Sequence, residues 1–169
     1  GEDAVLVAVQ SVLVGRPGVL AGARMLSHFG EHSAGWVGVS VLGAVLQPAR
    51  RRAWLTAGVG AFLAHAAAVV IKRVVKRKRP HHPAISVNVG TPSQLSFPSA
   101  HATSTTAAAI LLGRATGLPL PAILVPPMAL SRLVLGVHYP TDVLTGVVVG
   151  AVVAESVGAI SNRTAKVQA

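Results

Sequence analysis

Three separated groups of residues have the types and spacings needed to hold a phosphate and attack it. Lys72 and Arg79 come first, with Pro80 directly after them. On a helix their spacing is almost two full turns, so both cations would leave one face before the proline ends the helix. Pro98-Ser99-Ala100-His101 follows. Ser99 is a good N-cap for a helix built on the small, apolar run 102–112. The free backbone N–H groups of such a terminus, that of Ala100 among them, bind phosphate oxygens. The third group is Ser131-Arg132, His138 and Asp142, with Pro140 breaking any helix between the last two. A turn there lets Asp142 accept the Nδ1 proton of His138 and leaves Nε2 free to attack. Taken singly, each group also has a plain structural reading: a basic flank anchoring a span, a capped helix with a surface His, and an Asp capping the final helix.

The chain that must bring these groups together prefers lipid. Of its 169 residues, 51% are hydrophobic and 12% charged, against about 25% charged in a soluble average. Its length is that of one domain, so a single membrane domain over 1–169 is expected. There is no Cys, which removes disulfides, thiolate nucleophiles and thiolate metal sites. The 15 Lys plus Arg against 5 Asp plus Glu give a net charge of +10, suited to nucleic acid, anionic headgroups or a phosphorylated substrate. Aromatics are 4%, so stacking platforms for single strands are mostly missing, and the basic residues cluster between apolar runs; nucleic acid is not expected. Residues 4–15 are apolar but follow Glu2 and Asp3, not a basic stretch, so they read as part of the mature protein.

The positioning elements are apolar runs at 36–47, 54–71, 102–112, 118–130 and 142–160, giving five or six helices. The run 54–71 is bracketed by Arg50, Arg51, Arg52 and by Lys72, Arg73, nearly the roughly 20 residues a span needs. It should lie antiparallel to 36–47, because the link between them is short. Gly146 and Gly150 share one helix face and permit close helix packing. Residues 81–98, rich in Pro and polar side chains, form the longest non-helical stretch, where function tends to sit.

Taken together, Lys-x6-Arg-Pro, Pro-Ser-x-His and Ser-Arg-x5-His-x3-Asp, in this order, resemble the signatures of the type 2 phosphatidic acid phosphatase superfamily. The one departure is Ala100, where many members have Gly. The resemblance implies an all-α, polytopic membrane helix bundle with the core shared by these phosphatases and the haloperoxidases. It implies a metal-independent phosphomonoester hydrolase without cofactor. His138 would attack phosphorus and become phosphohistidine, Asp142 would steady its imidazolium, and His101 would protonate the leaving alkoxide and later activate water. Lys72, Arg79, Ser99, Ala100 and Arg132 would hold the phosphoryl oxygens. Segments 26–33 and 137–142 are similar to the small actinobacterial members. That implies a bacterial inner-membrane enzyme taking the 5-phosphate from a decaprenyl-linked phosphoribose for cell-wall arabinan synthesis, with residues 81–97 meeting the ribose. Polyprenyl pyrophosphate, phosphatidic acid and phosphatidylglycerol phosphate are the other substrates the motifs allow.

Competing readings use other residues. His28, Glu31 and His32 have the order of an inverted zinc-protease motif, but Gly30 interrupts it and no third ligand follows; Glu31 and His32 fit better at a helix end bordering the site. His81 and His82 read as solvated loop residues, while His65, inside a span, is open between a helix contact and a function. Vanadate-dependent haloperoxidases share the motif set but are larger and soluble. A non-catalytic headgroup-binding protein would use the same cations as anchors. Basic charge divides almost evenly between the two membrane faces, so orientation and oligomeric state stay open.

Overall fold

Small residues line the helix contacts of this chain, and large aliphatic residues face outward. The computed structural model describes residues 1–167. Seven α-helices occur among them: α1 (Glu2–Leu13), α2 (Val19–Gly30), α3 (Ala34–Leu46), α4 (Arg51–Val75), α5 (Ala100–Thr116), α6 (Leu120–Val134) and α7 (Pro140–Val167). The helical bundle is as expected; the count reaches seven because Gly15-Arg16-Pro17-Gly18 separates α2 from α1, Gly18 taking φ +80° at the α2 N-cap.

The centre is α5, packed between α4 and α7. Ala57, Ala61, Ala64 and Ala68 recur at helical spacing along α4 and are fully buried. On α7, Gly146, Gly150, Ala154 and Gly158 recur every fourth residue and are all buried. A Cβ on Gly150 would lie 2.3 Å from the Thr103 carbonyl oxygen, and one on Gly146 2.7 Å from that of Ser99. The small-residue stripe thus brings α7 against the α5 backbone, as the Gly146/Gly150 pair predicts.

The exterior is the reverse of a water-soluble surface. Leu42, Val59, Phe62, Leu144, Val148 and Val152 are each more than half exposed. With 25 residues in α4 and 28 in α7, these helices are about 37 and 42 Å long, more than the roughly 30 Å of a bilayer's hydrocarbon. Both are apolar enough to cross it. The chain is a polytopic membrane helix bundle, and its exposed aliphatic side chains are the lipid-facing surface.

One helix end differs from the sequence expectation. α4 stops at Val75, with Lys76 left-handed at φ 55° as its C-cap. Arg79 is therefore not on the helix that carries Lys72, and the shared helical face does not exist. The chain instead runs extended past Lys78, which bridges Leu95 antiparallel. The non-helical stretch 76–99 is pinned over one end of the bundle. Gln10 of α1 donates to the Ser86 carbonyl at 2.7 Å and accepts from its N–H at 2.9 Å. Gly136 (φ +69°) passes so close that a Cβ would sit 2.3 Å from the same carbonyl oxygen. The C-terminal ends of α4 and α6 and the N-terminal ends of α5 and α7 all meet under this loop.

Candidate active site

At that end lies a cavity of about 420 Å³ whose walls include Lys72, Arg79, Ala100, His101, Arg132 and His138. Three stretches far apart in sequence thus meet at one place. Ser99 caps α5, its Oγ accepting from Ala102 N–H at 3.3 Å. Its own N–H donates to the Asp142 carbonyl at 2.9 Å, tying the starts of α5 and α7 together.

His138, in the link between α6 and α7, is 3% exposed. Arg79 Nη1 lies 3.2 Å from its Nε2. A guanidinium can only donate, so Nε2 is the unprotonated, lone-pair nitrogen and Nδ1 carries the proton. Burial, reinforced by Arg79, Lys72 and Arg132, holds the imidazolium well below the usual histidine range. His138 is thus a neutral imidazole with a nucleophilic nitrogen facing a cation.

Asp142 is fully buried and faces Nδ1, but at 3.7 Å from Oδ2. The hydrogen bond expected between them is not formed, and Nδ1 has no hydrogen-bond partner among the described residues. The carboxylate is held elsewhere: Oδ2 accepts from Tyr139 N–H at 2.7 Å and Oδ1 from Arg77 Nη1 at 2.9 Å. The first contact is the returning half of a capping box, which draws the carboxylate toward the start of α7. The plain reading of Asp142 as a helix cap therefore holds together with its position opposite His138.

Among the cations, Lys72 is 7% exposed and spends its ammonium on the carbonyls of Leu95, Ser96 and Pro98, at 3.2, 3.1 and 2.6 Å. It fixes the loop leading to Ser99 and brings a positive charge to the cavity wall. Arg79 is braced by the carbonyls of Ser93 and Val137 at 2.8 and 2.7 Å. Arg132 is 2% exposed; its Nε reaches Ser131 Oγ at 3.3 Å, while its Nη2 is buried with no hydrogen-bond partner among the described residues. A buried guanidinium N–H without a protein acceptor suits an anionic ligand. His101 Nε2 lies 2.8 Å from the Ser27 carbonyl, which accepts only, so Nε2 carries the proton and Nδ1 the lone pair.

Several site residues carry no sequence signal. Arg77 is lost in the basic run, yet it joins Asp142 to Glu2 of α1, whose Oε2 accepts from Arg77 Nη2 at 2.6 Å. Gly30 lies against His101: a Cβ there would be 2.8 Å from the ring. Glu31 and His32 do border the cavity, as their place at a helix end suggested, and His65 lines it too. His81 lines an outer basic groove and His82 a hollow beside the start of α1; neither reaches the cavity. No cluster that could hold a metal ion occurs among the described residues.

Known proteins share this chain's sequence and fold. The model of the PAP2 superfamily matches residues 53–164. The decaprenylphosphoryl-5-phosphoribose phosphatase of Mycolicibacterium smegmatis is 79% identical over 146 residues, covering 86% of this chain and 81% of its own. That of Mycobacterium tuberculosis is 69% identical over 169 residues, covering 98% and 96%. Among solved structures, a transmembrane PAP2-type phosphatidylglycerolphosphate phosphatase from Bacillus subtilis superposes with a TM-score of 0.74 at 20% identity, over 95% of this chain and 86% of its own. Aquifex aeolicus LpxE superposes with a TM-score of 0.63 at 20% identity, over 89% and 92%.

Proposed function

Because this chain belongs to the PAP2 superfamily, we propose that it is a bacterial inner-membrane phosphatase that removes the 5-phosphate from decaprenylphosphoryl-5-phosphoribose through a phosphohistidine on His138. The identity to proteins carrying that name supports the substrate. The observation that carries the phosphatase site is Arg132 Nη2, buried without an acceptor in the wall of the cavity that holds the neutral His138.

Chemically, His138 Nε2 attacks phosphorus as the bond to the ribose 5-oxygen breaks. Arg79, already at Nε2, follows the transferring phosphoryl group, and Arg132 meets a second oxygen with its free N–H. Backbone N–H groups at the start of α5, with Ser99 and Ala100, take the third. Lys72 contributes charge more than hydrogen bonds, since carbonyls occupy its donors. Asp142 compensates the imidazolium that forms as His138 bonds to phosphorus. His101, resting with its lone pair on Nδ1, takes the proton of the bound phosphomonoester monoanion there and passes it to the departing alkoxide; the neutral ring then accepts a proton from the water that cleaves the phosphohistidine. Inorganic phosphate leaves and the free histidine returns.

The test is phosphate release in detergent, with EDTA present, from synthetic decaprenylphosphoryl-5-phosphoribose, polyprenyl pyrophosphate, phosphatidic acid and phosphatidylglycerol phosphate. The proposal expects the highest kcat/KM on the phosphoribosyl lipid and no effect of the chelator. A higher kcat/KM on any of the others would overturn the substrate assignment, and release surviving His138→Ala would overturn the mechanism.

A further inference from the structure

One wall of the active-site cavity is built from residues that the phosphoryl chemistry does not use: Glu31, His32 and His65. Glu31 is half-buried; its backbone is bonded to His28 and Ala34, but its carboxylate makes no hydrogen bond or ion pair among the described residues. A carboxylate in a phosphate cavity repels the phosphate, so this wall is unsuited to a second phosphoryl group. It is suited to a neutral hydrogen-bond donor.

The two histidines support the same reading. His32 sits at φ 51°, ψ 25°, and Ser33 follows at φ 60°, consecutive left-handed residues that are not glycine. Such strain persists where surrounding structure enforces it, and it clusters at ligand sites. Here it turns the chain between α2 and α3 and sets the His32 ring 5.7 Å from that of His65. His65 comes from the middle of α4, within the span, and its Nδ1 is buried with no hydrogen-bond partner among the described residues. A membrane helix rarely keeps an ionisable side chain there without using it. A neutral imidazole offers one donor and one acceptor, and a carboxylate two acceptors. Together they match vicinal hydroxyl groups.

We infer that Glu31, His32 and His65 form a subsite for the hydroxyl groups of the sugar that carries the reacting phosphate, and so set the enzyme's preference for a ribosyl lipid. The inference rests on the phosphoribosyl substrate proposed above. With the 5-phosphate held by Arg79 and Arg132, the ring hydroxyls meet this wall, Thr91 and Ser93 of the loop 81–97 line the same cavity beside the ribose, and the decaprenyl tail leaves toward lipid.

The experiment compares decaprenylphosphoryl-5-phosphoribose with its 2,3-dideoxyribosyl analogue, which keeps both phosphates and the tail. The variants are Glu31→Gln, His65→Gln and His32→Asn, the last because Asn tolerates the left-handed conformation. Wild type should prefer the ribosyl lipid by at least about tenfold in kcat/KM. Each variant should lose about tenfold on the ribosyl lipid and far less on the analogue, so that the preference collapses. Equal losses on both substrates would place these residues in the phosphoryl chemistry and overturn the inference, as would an undiminished preference. Wild type failing to hydrolyse the ribosyl lipid at all is a separate result that counts against the substrate assignment itself. Turnover of the analogue reports on folding in every preparation.

Discussion

Arg77 Nη1 donates to Asp142 Oδ1 at 2.9 Å, so a residue at an unspecified position of the first motif holds the carboxylate that faces the nucleophile. Arg77 is itself fixed by Glu2 at 2.6 Å, by Thr141 Oγ1 at 2.7 Å and by the Tyr139 ring, 4.1 Å from its guanidinium carbon. Arg77→Gln should lower kcat about tenfold with KM little changed, as expected when the partner of a catalytic carboxylate is lost. Arg77→Lys should recover part of that loss because charge survives without the planar fork. Steady-state kinetics on one phosphomonoester lipid check both; a change confined to KM would give Arg77 a binding role instead.

A covalent intermediate follows from the neutral Nε2 of His138 facing Arg79 at 3.2 Å. Labelled substrate and wild-type enzyme should give a phosphoenzyme that survives alkali and is lost in acid, as a phosphorus–nitrogen bond requires. His138→Ala should show none and lose at least about 10³-fold in rate. His101→Ala should lose about 10² to 10⁴-fold. Rapid alkaline quench during turnover makes the measurement.

Much of this site is legible in the sequence because its parts are local. Pro98-Ser99 predicts the start of α5, and the cap appears at Ser99; α7 begins at Pro140, two residues ahead of the expected run, so Asp142 sits in its first turn and reaches back to the Tyr139 N–H. The Gly146/Gly150 stripe predicts a close helix contact and finds one on α5. What fails is the reach of a local rule. Spacing alone put Lys72 and Arg79 on one helix, but the left-handed Lys76 ends α4 early, and the loop returns Arg79 to the site through the bridge between Lys78 and Leu95. Arg77 and Glu2 act through a contact across 75 positions, which no periodicity announces. His65 looked like one polar residue in a span; its role depends on His32 coming from another helix end.

The pH dependence should carry the mark of His138. Burial first, then Arg79, Lys72 and Arg132, depress its pKa below the ordinary value of about 6.5. The nucleophile thus stays neutral as pH falls through 6.5, and the acid limb of kcat/KM from this group lies lower. Stability follows the same sign: below about 6.5 the unfolded chain binds a proton that the folded state refuses, so stability falls as pH drops toward the folded value. Arg79→Gln removes the largest of the three cationic contributions and should move the acid limb upward in its residual activity. Profiles of wild type and variant on one substrate share the titration of its phosphate, so the difference between them isolates the enzyme. An acid limb unmoved by the substitution would break the link between Arg79 and His138.

Packing between α5 and α7 should govern the site from behind. A Cβ at Gly150 would lie 2.3 Å from the Thr103 carbonyl oxygen, and one at Gly146 2.7 Å from that of Ser99; both neighbours are backbone and cannot swing away. Gly150→Ala and Gly146→Ala should each cost about 1–3 kcal/mol by forcing the helices apart. The two should differ in function, because Gly146 presses on the residue that caps α5 and is placed to hold phosphate. Gly146→Ala should therefore raise KM as well as lower the unfolding temperature, whereas Gly150→Ala, one turn further from the site, should act mainly on stability. At Gly38 of α3 an added Cβ would meet nothing within 4 Å, so Gly38→Ala should be neutral or stabilising by a few tenths to about 1 kcal/mol. Thermal unfolding in detergent, read beside KM for the three variants, separates these outcomes; a Gly146→Ala enzyme with normal KM would show that the α5 cap tolerates displacement of α7.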